Sequence, residues 1–153
     1  MFEHLAAIAA GYLFAILIGH WAVGTLMRSA SGARTSTAHS AHPAAIGLLE
    51  RALYVAAWQL GARGFIGLWL ALKVVGNWKR WTEDSTPDAG TIPGRTTLNR
   101  FLLGAGTSLA FAIGGALIIE ILDHNEWAQA LLLGAVVVGA CLGLGWFLRR
   151  GRE

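Results

Sequence analysis

The chain has 153 residues and a formal net charge of +3, with 55% hydrophobic residues and 14% charged, against about 25% charged in an average soluble domain. A mean hydropathy of +0.53 together with 20 glycines suits a bilayer, where small residues let helices approach closely. The basic residues stand at the ends of apolar runs rather than on one polar face, which argues against a nucleic-acid interface. The single cysteine, Cys141, excludes an intrachain disulfide and a cysteine-rich metal site.

From Leu5 to Met27 there is no formal charge, a run longer than the helix of about 20 residues that crosses a hydrocarbon core. The opening Met1-Phe2-Glu3-His4 lacks the basic start of a signal peptide, and the run exceeds the roughly 7 to 15 residues of a cleaved apolar region. The sequence therefore predicts a retained span over about 5–27. His20 inside it is expected to be neutral and bonded to a carbonyl. From Arg28 to Pro43 the residues are small and polar without periodicity, as in a loop. His39 and His42 in it, three apart, are a weak metal-binding pattern.

Residues 44–81 admit two readings. One long helix would cross once with Arg63 at mid-depth, where an Arg costs at least about 2.5 kcal/mol. A hairpin of two short helices, 44–60 and 65–81, would instead turn at Gly61-Ala62-Arg63-Gly64, since Gly commonly ends a helix and short connections join antiparallel pairs. Charge placement favours the hairpin. With five crossings and the N-terminus outside, every Lys and Arg except Arg63 falls on the cytoplasmic side, as the positive-inside rule requires. The cost is length, about 25 Å per helix, and a re-entrant hairpin would give the same sidedness.

The hairpin makes a geometric prediction. Residues at equal distance from the turn lie at equal depth, so Glu50 falls level with Val75 and about 3 Å along the axis from Lys73, the partner it needs because the adjacent Arg51 points elsewhere. On one long helix Glu50 and Lys73 would stand about 34 Å apart. Glu50, Arg51 and Lys73 are expected to form a charged layer near the cytoplasmic end of the two helices, with Tyr54 and Gln59 continuing a polar path. Charges inside a membrane are functional candidates by default; the plainer reading is that the cations snorkel to the headgroups while Glu50 neutralises one of them.

Lys79 to Thr97 holds Pro87, Gly90, Pro93 and Gly94 among charges and reads as a second loop. Spans over 98–122 and 127–148 follow. The first carries the small-residue rows Gly104-Ser108-Ala112-Ala116 and Gly106-Ala110-Gly114, the second Ala135-Gly139-Gly143. Such rows flatten one helix face for packing within the chain or for self-association. Between the spans, Glu120, Asp123 and His124 fall at spacings that share a helical face, a weak metal candidate; an acidic cap on the helix end is the simpler account. Trp78, Trp81, Trp127 and Trp146 stand at span ends as interfacial anchors, whereas Trp69 is central and is expected merely to pack. Gly104-Ala105-Gly106-Thr107-Ser108 has the glycines of a phosphate loop without the following Lys.

The expected object is all-α: a polytopic helical membrane bundle, a single integral membrane domain over 1–153 with five transmembrane helices (the alternative being four, with 44–81 a single long helix). It is expected in a bacterial-type inner membrane, C-terminus cytoplasmic, with no cofactor. The bilayer and either itself or another membrane protein are its partners. The expected function is non-enzymatic: an oligomer that conducts or transports a small ion or solute, or else an accessory or scaffold subunit of a larger membrane complex. A metal-dependent membrane enzyme at Glu120, Asp123 and His124 is the third class.

Overall fold

The computed structural model describes residues 2–31, 41–82 and 94–150, all helical apart from turns at 60–62 and 124–126. The chain opens with a single rod made of α1 (Phe2–Leu13), a π-helical turn (Phe14–Ile18) and α2 (Gly19–Ser31). Then come α3 (Ala41–Gln59), α4 (Arg63–Thr82), α5 (Gly94–Asp123) and α6 (Trp127–Arg150). Three helices are long and apolar enough to cross a membrane: Phe2–Ala30, Leu98–Asp123 and Trp127–Arg150. The shorter α3 and α4 each carry ionisable groups at mid-length.

The chain breaks where the glycine-flanked Arg63 stands. Gly61 takes φ +70°, a conformation open to a residue without Cβ. The Ala62 amide donates to the Ala57 carbonyl at 2.8 Å and the Gly61 amide to that of Trp58 at 3.0 Å, the pair of bonds that closes a helix on a left-handed residue. Asn125 repeats the device with φ 60°: the Glu126 amide reaches the Ile121 carbonyl and the Asn125 amide that of Leu122. Asn is one of the few side chains that tolerate this backbone.

Several boundaries differ from those read in the sequence. The first rod runs beyond 5–27 at both ends, α3 begins three residues before 44, and α5 begins at Gly94 rather than 98. Pro43 does not delay α3, because an amide in the first helical turn has no partner to lose. Helix thus occupies residues at the margins of both stretches that the sequence assigns to loops. His39 lies outside the described residues, so no geometry bears on its pairing with His42.

α5 is the central mast and packs against the rod, α3, α4 and α6. It runs antiparallel to the rod. Gly11 lies on Gly115, Gly19 on Phe111, and Gly104 near Met27. At Gly11 the backbones all but touch, since a Cβ there would overlap the Gly115 carbonyl and the Ile119 side chain. α3 runs parallel to α5, with Arg51 at Ser108 and Gln59 at Ala116, and α6 parallel to α2, with Cys141 at Ala22 and Arg149 at Ser29. One core gathers Ala7, Ala15, Tyr54, Val55, Ala112 and Ile119 around the α1–α3–α5 contact. A second joins Phe14, Leu26, Phe111, Ile118 and Cys141 between the rod, α5 and α6. Consecutive helices alternate in direction, which collects Glu3, Asp123 and Glu126 at one end and Arg28, Arg149 and Arg150 at the other.

Candidate functional site

The ionisable groups that the sequence singles out meet inside the bundle. Glu50 is 5% exposed, and Lys73 Nζ lies 2.8 Å from each of its carboxylate oxygens. This distance fits two antiparallel helices and excludes a single rod through 44–81. The Trp69 indole Nε1–H also donates to Glu50 Oε1, at 3.2 Å. Trp69 and Lys73 stand four apart on α4 and so share the face turned to Glu50. Lys73 Nζ is also 5.5 Å from the centroid of the Phe101 ring. Trp69 is therefore a member of the layer, not only a packing residue.

Arg51 follows Glu50 directly and points, as adjacent helical residues do, to another side. It is the largest fully buried side chain, 2% exposed. Its Nη1 donates to Ser108 Oγ at 3.1 Å, whereas Nε is buried without a partner. The stem passes where the rod has no side chain: a Cβ on Gly19 would stand 3.1 Å from Arg51 Cδ and 3.0 Å from Phe111 Cβ. No carboxylate lies within 4 Å of Arg51 among the described residues. Two cations and one anion thus share the layer, which carries one net positive charge.

Its depth corrects the sequence reading. Glu50 sits at the middle of α3 and Lys73 at the middle of α4. Ser108 lies about 21 Å from the start of α5 and 22 Å from its end at 1.5 Å per residue. The layer lies midway along the helices rather than near one end, because both helices extend further towards the basic end than their apolar runs.

The polar path divides. Tyr54 is buried in the core one turn beyond Glu50, and Gln59 Nε2 donates to the Ala116 carbonyl at 3.0 Å, so Gln59 ties the hairpin tip to α5. Ser108 reaches Arg51, while Thr107 Oγ1 bonds back to the Leu103 carbonyl at 2.7 Å.

The proposed metal cluster does not assemble. Glu120 accepts from Trp58 Nε1 at 2.9 Å. Asp123 accepts from His4 Nδ1 at 2.8 and 3.0 Å, and since a carboxylate only accepts, that ring nitrogen carries the proton. His124 lies exposed in the turn. Helical spacing gives Glu120 and Asp123 different neighbours, α3 and the rod. Among the described residues no group of three or more His, Cys, Asp or Glu is placed to hold a metal ion.

The sequence reading missed Trp69 and the His4–Asp123 contact. An indole N–H one turn before a lysine in an apolar helix was the available signal for the first; nothing local announces the second. Comparison with known protein families, characterised proteins and solved structures finds no match for this chain.

Proposed function

We propose that the protein is a helical membrane bundle that self-associates and passes a small ion or solute along the layer of Glu50, Arg51 and Lys73. The observation that carries this reading is the depth of the layer. Ionisable side chains buried midway along apolar helices are costly and are retained where they serve a pathway. The net positive charge favours an anionic solute. Lys73, whose side chain is 26% exposed against 7% for Glu50, is the accessible side of the layer, so the path opens along α4 and is completed by a second copy. Five crossings follow if α3 and α4 each span. Their 19 and 20 residues reach about 28 and 30 Å, close to the hydrocarbon thickness. With the basic end cytoplasmic, the N-terminus lies outside and the protein sits in the inner, plasma membrane.

The test is reconstitution into liposomes with separate readouts for chloride, potassium and protons. Flux above that of empty liposomes, reduced at least tenfold in Arg51→Gln and Lys73→Gln, is the expected result. Protein-free and protein-containing liposomes that behave alike for all three ions would remove the transport reading. An accessory subunit is the second reading, favoured by the outward face of α6, where Leu131, Leu132, Val136 and Phe147 are 74, 66, 59 and 68% exposed. A monomer in mild detergent that conducts nothing supports it.

A further inference from the structure

At the basic end of the bundle, α2 and α6 enclose a cleft of about 260 Å³. Its floor is apolar, formed by Ala22, Leu26, Cys141 and Gly145, and its mouth holds Thr25 and Arg149. Arg149 lines the cleft itself, and two further guanidinium groups, of Arg28 and Arg150, contact residues of its lining; each of the three is held by a neutral partner. Arg149 Nε donates to Ser29 Oγ at 2.9 Å, and the hydroxyl of Ser29, itself buried, donates to the Thr25 carbonyl at 3.0 Å. Arg28 Nη2 donates to Thr25 Oγ1 at 3.1 Å. Arg150 lies over the Trp146 ring with its central carbon 4.8 Å from the centroid. None of the three has a carboxylate within 4 Å among the described residues.

From this we infer that the cleft binds an anionic phospholipid, its phosphate at Arg28 and Arg149 and one acyl chain on the apolar floor. Three arguments converge. The hydroxyl contacts hold the two arginines through one nitrogen each and, among the described residues, leave the other N–H groups without a protein acceptor, a fork suited to phosphate. Trp146, next to them, is the residue type that sits at headgroup level. From Arg149 to Cys141 the floor descends about 12 Å, most of one leaflet of a hydrocarbon core about 30 Å thick. Basic pockets between helices on the cytoplasmic side are where anionic headgroups bind. The inference needs the helices to lie in a bilayer, but it uses none of the residues of the ionic layer and stands whether or not the protein conducts.

The experiment delipidates the purified full chain in detergent and titrates it separately with phosphatidylglycerol, phosphatidylcholine and inorganic phosphate, counting bound lipid by mass spectrometry. Phosphatidylglycerol is expected to bind at about one per chain and at least tenfold more tightly than phosphatidylcholine, since each surface cation adds a roughly fivefold preference. The Arg28→Gln, Arg149→Gln double variant should lose that preference while still binding both lipids. Gly145→Leu, which fills the floor and leaves every charge in place, should weaken both lipids together. Millimolar inorganic phosphate should displace neither. Equal affinities of the two lipids for the unaltered chain overturn the inference without recourse to any variant. So does a preference that survives in the double variant, or full displacement by phosphate, which would mark a simple anion site.

Discussion

Arg51 is enclosed by the bundle with one neutral acceptor and a buried Nε–H that has none. Replacing buried ionic groups by apolar ones of similar size is often neutral or stabilising by about 1–4 kcal/mol, and Ser108 can turn back to a carbonyl one turn earlier. Arg51→Met is therefore expected to leave the thermal midpoint in detergent unchanged or raised. A fall equivalent to more than about 2 kcal/mol would mean that the guanidinium is better satisfied than one hydrogen bond implies. Glu50 and Lys73 should respond unequally. Lys73→Met leaves a buried carboxylate with only the Trp69 indole and should cost about 3–5 kcal/mol. Glu50→Gln keeps an acceptor for Trp69 and frees a lysine that can extend towards solvent, so the loss is smaller. The double variant should be more stable than Lys73→Met alone, and equal or lower stability would deny that the two charges are coupled. The Glu50–Lys73 pair was legible in the sequence because a hairpin with a known turn fixes which residues are level, and an isolated charge in an apolar run needs a counter-ion. Trp69 could have been read from its place one turn before Lys73, whereas Ser108 at Arg51 could not, because the rotation of each helix about its own axis is a product of packing and has no local signature.

At the scale of elements, the stop at Gly61 could be read directly, since a left-handed residue closing a helix has a strong preference for glycine. The starts of α3 and α5 could not, because apolar periodicity marks the buried length of a helix and is silent about turns that continue past it. The small-residue rows were seen but not their use. Ser108, Ala112 and Ala116 are buried and serve packing within the chain, whereas a Cβ on Gly106, Gly139 or Gly143 would meet nothing within 4 Å. The tightest contact, Gly11 on Gly115, joins two glycines distant in sequence, which no row on either helix reveals. A methyl group at Gly115 would strike the Gly11 backbone and the Ala15 methyl, and neither can move without separating α1 from α5. Gly115→Ala is thus expected to destabilise the protein by about 1–3 kcal/mol, read as a lower midpoint, while Gly139→Ala should leave it within about 0.5 kcal/mol. Similar losses in both would show that α6 packs on this chain more closely than its outward face indicates.

For the molecule as a whole, the open face of α6 and the shallow packing of α4 leave large apolar side chains exposed. If self-association uses Gly139 and Gly143, Gly139→Leu should reduce the mass measured by light scattering in mild detergent towards that of one chain, and an unchanged mass would move the interface elsewhere. The rod adds a constraint of another kind. Ala7, Gly11, Ala15 and Gly19 are all buried and recur every fourth residue, but an α-helix closes its turn in 3.6. On an unbroken screw such a series would slew around the axis and leave α5. The π turn at Phe14–Ile18 is wider, and it resets the phase so that the upper and lower halves address the same neighbour. Nothing in Phe-Ala-Ile-Leu-Ile betrays it. Losing one residue from that stretch would restore a regular screw and leave Gly11 and Gly19 seven residues apart, within about 20° of the same face. The Gly11 seam and the notch that admits Arg51 would both still face the mast, whereas the same deletion inside α1 or α2, where the screw is already regular, would turn the residues beyond it by about 100° and dismantle the bundle.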